Sequence, residues 1–361
     1  MSRPTRALID LQSLRHNYQL ARKLSPGALS MAVVKADGYG HGLITVAQAL
    51  ADLAPRFAVA CREEADGLRA AGLRQPVVLL EGVHAAEDYD VCRAQGYIPL
   101  IHHQSQLDWL VGAAGQQPLR AWVKVNTGMN RLGFAPGDVP AVLARLAAVD
   151  DVTVEGLATH FAQADVADLA PTRRQLAIMN GLAAQYPELG LSLSNSAGHL
   201  TGLQFAEQWT RPGIMLYGST PLLYRTAQEL DLQPVMTLES ALISVRELAA
   251  GDEVGYGATW RAASAGRMGV VAIGYGDGYP RHAPSGTPVW IRGKRVPLIG
   301  RVSMDMLAVD LSGLPEADVG DRVELWGRNV SVDEVASRAG TIGYELLTGL
   351  TARVPRVIAR G

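Results

Sequence analysis

The chain has 361 residues, which is enough for two domains or for one barrel with an added module. Hydrophobic residues make up 48% of it and charged residues 19%, so the composition predicts large packed cores and excludes a disordered chain. The formal net charge is −2 and no long basic run occurs, which gives no electrostatic basis for binding nucleic acid.

The only cysteines are Cys61 and Cys92, which form neither a disulfide framework nor a Cys-x-x-Cys pair. The first residues lead straight into a strand-like pattern without a signal-peptide core, and no apolar run is long enough to span a bilayer. These features predict a cytoplasmic protein with no membrane partner. Because His-x-x-x-His and cysteine clusters are absent from the sequence, no metal site is predicted.

The first predicted elements are a short strand over residues 6–11 and a helix for which Asp10 is a suitable N-cap. An apolar run then ends on Lys35 and passes into a loop with three glycines at 38–42. A lysine at the carboxyl end of a buried strand can lose its charge and attack an aldehyde such as pyridoxal phosphate. The alternative for this residue alone is a lysine that ends a strand and points into water.

Strand-like apolar runs alternate with helical segments after this lysine. The strands are predicted over 57–61, 77–80, 98–101, 121–125, 154–158, 191–193 and 214–217, and helices over segments such as 63–71, 104–113 and 139–149. With the run ending at Lys35 this gives eight βα units, which predicts an N-terminal (β/α)8 TIM-like barrel over residues 1–230. No Gly-x-Gly-x-x-Gly fingerprint supports a dinucleotide-binding sheet instead.

The pattern changes near Pro234, where alternating runs are separated by tight glycine turns. Strands are predicted over 235–244, 267–273, 287–291, 296–299, 306–311 and 322–325, with one helix over 332–338. We therefore expect a mostly-β C-terminal domain over residues 231–361, which residues 1–10 could join as an additional strand.

Polar residues collect where the predicted barrel strands end, and this is where barrel enzymes place their sites. Ser196, after the seventh predicted strand, and the backbone of Gly213 and Ile214, at the start of the eighth, suit a phosphate site, because small residues let amide N–H groups approach an anion closely. Taken singly, His160 is equally compatible with a packed histidine, and Arg131 and Arg211 with surface ion pairs. The combination of a lysine, an anion cradle and two arginines at one rim favours a catalytic site.

Several motifs in order resemble those of the alanine racemases, fold-type III pyridoxal-phosphate enzymes, over essentially the whole chain. They are 33–42 (VVKADGYGHG), 126–133 (NTGMNRLG), 211–218 (RPGIMLYG), 254–260 (VGYGATW), 273–279 (IGYGDGY), 300–305 (GRVSMD) and 343–345 (GYE). The resemblance implies interconversion of L- and D-alanine through an external aldimine of pyridoxal 5'-phosphate. It implies that Lys35 holds the cofactor covalently, that Arg211 faces its ring nitrogen with His160 behind, and that the phosphate is bound by Tyr39, Ser196, Gly213, Ile214 and Tyr344.

The resemblance also implies two bases on opposite faces of the substrate, Lys35 for the D enantiomer and Tyr256 for the L enantiomer. Tyr256 would come from the partner subunit of a homodimer, as would Met304, which would contact the substrate carboxylate. Arg131 would assist at that carboxylate and at the cofactor's phenolic oxygen. Residues of the entry channel would be Tyr275, which limits side-chain size, and the outer group Arg281, Arg301, Asp165 and Ile342.

Lys124 matches a position that carries a carbamate in many family members, although an unmodified lysine at the strand end is equally compatible with the sequence. Asn126 stands where aspartate is frequent and Ser303 where cysteine is frequent. Two alternatives from related proteins are a non-catalytic pyridoxal-phosphate carrier, which lacks the β domain, and an amino-acid decarboxylase, which needs a larger pocket. The racemase reaction would serve either supply of D-alanine for peptidoglycan or breakdown of L-alanine.

Overall fold

The structure, a computed structural model, describes residues 3–112, 117–203 and 205–359. The N-terminal half is a closed parallel barrel in which each strand pairs with the next and the last pairs with the first. Its strands are β2 (Leu29–Val33), β3 (Arg56–Val59), β4 (Val77–Leu79), β5 (Tyr97–Ile101), β6 (Leu119–Lys124), β7 (Val152–Ala158), β8 (Gly190–Ser192) and β9 (Trp209–Thr210). The predicted fold class, an eight-stranded barrel followed by a β domain, is confirmed.

The eighth strand was predicted wrongly. Residues 214–217 form a buried 3-10 turn (Ile214–Tyr217), and the strand that closes the barrel is the two-residue β9 before them. A four-residue apolar run does not distinguish a buried strand from a buried helical turn by its periodicity. The correction moves Arg211, Pro212 and Gly213 from the amino end of a strand to the carboxyl end of one, where barrel sites are built.

The helices of the barrel domain pack outside the strands and agree with the predicted segments to within one or two residues. Helix 104–113 is observed to residue 112, and residue 113 lies outside the described residues. The helices are α1 (Leu11–Leu24), α2 (Lys35–Gly40), α3 (Leu43–Leu50), α4 (Arg62–Ala70), α5 (Asp88–Gln95), α6 (Gln104–Gly112), α7 (Val139–Ala147), α8 (Ala170–Gln185) and α9 (Ser196–Leu200). The Asp10 side chain accepts from the backbone N–H groups of Gln12 and Ser13 and so caps α1 as predicted.

The C-terminal half is built from antiparallel strands, six of which (β10, β13, β16, β15, β14 and β17) pair in a ring. Its elements are β10 (Met236–Leu248), β11 (Glu253–Val254), β12 (Trp260–Arg261), β13 (Gly266–Val271), β14 (Pro288–Ile291), β15 (Lys294–Ile299), β16 (Leu307–Asp310), β17 (Arg322–Trp326), α10 (Val332–Arg338), α11 (Gly343–Thr348) and β18 (Arg356–Ile358). The hairpin between β14 and β15 turns on Arg292 and Gly293, both with positive φ, as a two-residue turn requires.

The first strand of the chain belongs structurally to this second half. β1 (Arg6–Ile9) pairs antiparallel with β10 and parallel with β18, so the chain leaves the β domain, forms the barrel and then returns. The two halves are thereby joined through hydrogen-bonded strands as well as through the connection after the barrel. Across the described ranges, no helix combines the length and the apolar character needed to cross a membrane.

At the amino-terminal end of the barrel, Glu155 and Arg56 form an ion pair next to the rings of Trp122 and Trp209. The Glu155 carboxylate accepts from Arg56 (3.1 Å, Nη2 to Oε1) and from Nε1 of Trp122 (2.9 Å), and Arg120 approaches within 3.2 Å. The Arg56 guanidinium also stacks over the Trp209 ring, 4.1 Å from its centroid. Both charges of the main pair are largely buried, so losing one partner leaves the other desolvated and unpaired.

We expect Glu155→Gln to lower the free energy of unfolding by about 3 kcal/mol. Burial would raise the pKa of Glu155, but the hydrogen bond and charge of Arg56 lower it overall, so the carboxylate stabilises the fold above its ordinary pKa. The difference between wild type and variant should therefore shrink as the pH falls below about 4. Urea unfolding at pH 7 and at low pH measures it, and Asp52→Asn, in an exposed pair with Arg15, is the control with little expected effect.

Candidate active site

The carboxyl end of the first barrel strand carries Lys35 on an unusual turn. Residues 36–39 of α2 all have left-handed backbone angles, with φ between 51° and 60°, although only Gly38 is a glycine. Left-handed conformation costs roughly 1–2 kcal/mol for each non-glycine residue, so neighbouring contacts must hold this turn. The sequence predicted a glycine loop here and gave no signal for a left-handed helical turn.

Contacts from several parts of the chain hold the turn. Glu64 accepts from the N–H of Ala36 (2.7 Å), and Nδ1 of the buried His41 lies 2.9 Å from the carbonyl oxygen of Tyr39. Arg356 of β18 donates to the carbonyl of Gly40 (3.0 Å). A Cβ on Gly40 would collide with the carbonyl oxygen of Leu347, so close packing against the β domain requires glycine there. The lysine is thus attached to a segment fixed by both domains.

A cradle of small residues and tyrosines lies beside this turn. Oγ of Ser196 accepts from the N–H groups of Gly213 (2.9 Å) and Met215 (3.2 Å), which joins the loops after β8 and β9. Ile214 begins the 3-10 turn, so its N–H has no partner inside that turn. The ring of Tyr39 stacks on Tyr217 at 4.7 Å and lies 6.2 Å from that of Tyr344. Burial raises the pKa of Tyr39 and of Tyr344, which keeps both hydroxyls protonated as donors.

Arg211, directly after β9, is buried and held at both ends of its guanidinium. It donates to Oγ of Ser192 and to the carbonyl oxygens of Thr159 and Leu193. Burial lowers the pKa of Arg211 to about 10, so the group is still cationic near neutral pH. His160 follows β7 and its Nε2 lies 3.2 Å from Nδ2 of Asn195. Burial, and then the nearby cations, hold the pKa of His160 well below its ordinary value, so its imidazole is neutral.

Four basic side chains share the mouth of the barrel, Lys35, Lys124, Arg131 and Arg211. Burial lowers the pKa of Lys124 well below its ordinary value, and the positive charges of Arg211, Arg131 and Lys35 lower it further. None of the ion pairs within the described ranges includes any of these four residues. A group of basic side chains that forms no ion pair with a carboxylate, and of which Lys124 and Arg211 are buried, fits an anionic ligand, because desolvated charges need a counter-charge.

Asn126 organises the loop that carries Arg131. Its Oδ1 accepts from the N–H groups of Gly128 (3.2 Å) and Asn130 (3.0 Å), and its Nδ2 donates to Oδ1 of Asn130 (3.0 Å). An aspartate could make the two backbone contacts but not the third. The amide of Asn126, which stands where aspartate is commoner, therefore finds its hydrogen-bond partners within the loop, and it adds no negative charge beside Lys124.

Three of the site residues predicted in the β domain are solvent-exposed, whereas Tyr344 lies beside Tyr39 in the cradle. Tyr256 lies in the turn between β11 and β12 with 71% of its surface exposed, and Met304 and Tyr275 are 53% and 37% exposed. Backbone bonds join the last two segments: the N–H of Tyr275 donates to Ser303 (3.0 Å) and that of Gly276 to Met304 (2.8 Å). No hydrogen bond, ion pair or ring contact of the described chain joins Tyr256, Tyr275 or Met304 to the barrel mouth.

The residues of the predicted outer channel are also accessible. Ile342 is 55% exposed, Arg281 and Arg301 are exposed, and Asp165 is half-buried with its carbonyl accepting from the N–H of Leu223. Arg301 packs against Gly257, where a Cβ would lie 2.9 Å from its Nη1. Exposed aromatic, methionine and arginine side chains such as Tyr256, Met304 and Arg301 are of the types enriched in interface cores.

Sequence reasoning missed Glu207, Gln175 and Arg356 around this site. Gln175 donates to the carbonyl of His160 (3.0 Å), and Glu207 accepts from Leu193 and Ser194 next to Arg211. Gln175 lies inside α8, Glu207 lies in a loop, and Arg356 begins a short strand that was not predicted, so no local pattern marked them. A cleft of about 880 Å³ lies elsewhere, between β1, β17 and the β14–β15 hairpin, and its arginines are paired with carboxylates.

The fold and the site together define a two-domain barrel enzyme with its chemistry at the carboxyl ends of the strands. The family model for the N-terminal domain of alanine racemase matches residues 9–221, and that for the C-terminal domain matches residues 235–358. The chain therefore belongs to the alanine racemase family, a family of isomerases, and the resemblance read from its motifs is confirmed.

Individual relatives align with almost the whole length of the chain. The chain is 56% identical over 359 residues to the alanine racemase of Marinobacter nauticus, and the match covers 99% of each chain. It is 50% identical to the catabolic alanine racemase of Pseudomonas putida, over 98% of each. Among solved structures, the biosynthetic alanine racemase of Pseudomonas aeruginosa is similar at a TM-score of 0.94 and 49% identity, covering 99% of this chain and 100% of that one.

Proposed function

We propose that this protein interconverts L- and D-alanine with pyridoxal phosphate held on Lys35 and with Tyr256 of the partner subunit as the second base. The observation that carries the proposal is the group of four basic side chains at the barrel mouth, none of which forms an ion pair within the described residues, beside the Ser196–Gly213 cradle. A phosphate ester, a phenolic oxygen and a substrate carboxylate are the anions that such a group would receive. Relatives named for catabolic and for biosynthetic roles match equally well, and the reaction they share is the one proposed.

The residues present fit the cofactor. The phosphate would be held by Tyr39, Ser196, Gly213, Ile214 and Tyr344. The N–H of Ile214 has no partner inside the 3-10 turn, and the hydroxyls of Tyr39 and Tyr344, whose pKa values burial raises, are donors, while the N–H of Gly213 is donated to Ser196. When bound, pyridoxal phosphate withdraws electrons from the Cα–H bond of an attached amino acid, which makes that proton removable.

Arg211 and His160 would set the electronic character of the site. Arg211 would face the ring nitrogen and, because a guanidinium gives up no proton at working pH, would keep that nitrogen unprotonated. His160, neutral and next to Asn195, would add no charge behind it. A weaker electron sink keeps negative charge at Cα, where a proton can be returned, and disfavours transamination.

The two bases would act from opposite sides of the substrate. Lys35 would remove or return the proton of D-alanine, and Tyr256 that of L-alanine. Arg131 and the backbone of Met304 would hold the carboxylate, and Tyr275 would narrow the entry so that a methyl side chain is admitted. The exposure of Tyr256, Met304 and Ile342 supports a homodimer, because in such a dimer these side chains would be covered by the partner's barrel mouth.

The direct test is spectroscopic and stereochemical. Purified protein incubated with pyridoxal phosphate should gain a visible absorption band that borohydride removes, with the label then fixed on the peptide containing Lys35. The same preparation should convert L-alanine and D-alanine to an equal mixture, followed by optical rotation. Protein that forms no reducible adduct would contradict the proposal, and release of carbon dioxide from the amino acid would favour a decarboxylase.

We expect Gly213→Ala to raise the Kd for pyridoxal phosphate at least about tenfold. A Cβ on Gly213 would lie 2.5 Å from Oη of Tyr39, so one of these two cradle residues must move. Titration of the apoprotein by fluorescence quenching measures the affinity. Gly137→Ala is the matched control because a Cβ there meets nothing within 4 Å, and equal affinities for the two variants would count against the cradle.

A further inference from the structure

A buried carboxylate lies next to the guanidinium that the proposed function sets against the ring nitrogen. Glu207, two residues before β9, is almost completely buried and carries no role in the motifs. Its Oε2 accepts from the N–H groups of Leu193 (2.6 Å) and Ser194 (2.9 Å), and Oε1 accepts from the Ser194 hydroxyl. The carboxylate is thus saturated by donors from one short segment at the end of β8.

Arg211 binds the carbonyl groups of the same two residues, Leu193 and Ser194. Its guanidinium donates to the carbonyl of Leu193 (3.4 Å), and its backbone N–H donates to the carbonyl of Ser194 (2.9 Å). Leu193 and Ser194 therefore give their N–H groups to Glu207 and their carbonyls to Arg211. Hydrogen bonds in series polarise one another, so the anion and the cation are coupled through the intervening backbone.

The opposite charges of Glu207 and Arg211 make this coupling important for the site. Arg211 is buried near Lys124 and also contributes positive charge to the environment of His160, while Glu207 is the anion that acts on Arg211. Without it, the guanidinium would be a desolvated cation among cations, which favours its displacement. Ser194 is also followed by Asn195 and Ser196, so the same carboxylate fixes the segment leading into the phosphate cradle.

We infer that Glu207 is a positioning residue that holds Arg211 in place opposite the cofactor's ring nitrogen and anchors the segment leading to Ser196. The inference rests on the proposed function and adds a residue to it. Glu207 touches neither the cofactor nor the substrate in this role, and acts through Arg211 and through Leu193 and Ser194. Its loss should leave the two bases intact but let the ring nitrogen take up a proton from solvent.

Glu207→Gln tests the charge with little change of shape, because a glutamine can accept from both N–H groups and donate to the Ser194 hydroxyl. We expect the 15N resonance of ring-labelled pyridoxal phosphate to move from the unprotonated toward the protonated value. We also expect conversion of cofactor to pyridoxamine phosphate per turnover, and the Kd for pyridoxal phosphate, to rise about tenfold each. Glu324→Gln is the matched control, since Glu324 is also buried and accepts from the backbone N–H groups of Asn329 and Val330 far from Arg211.

A wild-type resonance, transamination rate and Kd in folded Glu207→Gln would overturn the inference while leaving the racemase proposal intact. Failure of the wild-type protein itself to bind pyridoxal phosphate would instead contradict the proposed function. If Glu207→Gln does not fold, Ser194→Ala carries the test, because it removes one anchor of the carboxylate without burying a new group. It should move the Kd and the transamination rate in the same direction by about threefold, and unchanged values would overturn the inference equally.

Discussion

Replacing Lys35 with alanine is expected to lower the rate of alanine racemisation by about 10³-fold or more in both directions. The side chain would supply both the covalent attachment of the cofactor and one of the two bases, and no second lysine can substitute for it. Lys124 is buried with a lowered pKa, but it belongs to β6, on another part of the barrel mouth. The borohydride-reducible adduct should disappear together with the activity.

Two further variants test whether the loss of activity is specific to the amine of Lys35. Lys35→Arg keeps the positive charge but offers no nucleophile, so it should be as inactive as Lys35→Ala while the cradle still binds pyridoxal phosphate reversibly. Lys294→Ala removes an exposed lysine in β15 and should change nothing. Retention of a reducible adduct in Lys35→Ala would assign the attachment to another lysine.

The barrel could be predicted because each of its strands is short, apolar and separated from the next by a helical segment. The observed β3 to β8 lie within a residue or two of the predicted runs. The eighth strand failed because a strand of two residues has no periodicity, and the apolar run after it is a buried turn. What defines β9 is its pairing with β2 and β8, which is tertiary information.

The site could be predicted only where function forces a recognisable motif. Lys35, Arg211 and Gly213 stand in such motifs, whereas Ser196 was marked by its place after a predicted strand. The structure places these residues at one rim. The left-handed turn after Lys35 was not predictable, because Ala36, Asp37 and Tyr39 have no intrinsic preference for positive φ. Their conformation is imposed by Glu64, His41 and Arg356, which are 2 to 316 residues away from the groups they contact.

Glu207 is a further residue whose role could not be predicted from the sequence. Its partners are the backbone of Leu193 and Ser194 and, through them, Arg211, so its importance depends on two strands, β8 and β9, pairing in the closed barrel. A glutamate in a loop is ordinarily solvated, and local sequence predicts nothing else for it. Buried charges that position other charges are therefore identified from structure.

Tyr256→Phe is expected to suppress removal of the α-proton from L-alanine by about 10²-fold or more while sparing that from D-alanine. Because the equilibrium constant of racemisation fixes the ratio of the two overall rates, both overall rates must fall together, and the asymmetry appears only in the half-reactions. In deuterated water the variant should exchange the α-proton of D-alanine, where Lys35 acts, without inverting it. Equal and small losses in the rates of α-proton removal from the two enantiomers would show that Tyr256 is not one of the two bases.

Mixing the two inactive variants should restore activity if each site combines Lys35 of one subunit with Tyr256 of the other. Random exchange of Lys35→Ala and Tyr256→Phe subunits gives about half mixed dimers, and each mixed dimer has one site with both residues intact. The mixture should therefore recover about a quarter of the wild-type activity. If Tyr256 acted within its own chain, every site in the mixture would lack one base and no activity would return. The exposed position of Tyr256 in the turn between β11 and β12 favours the first result.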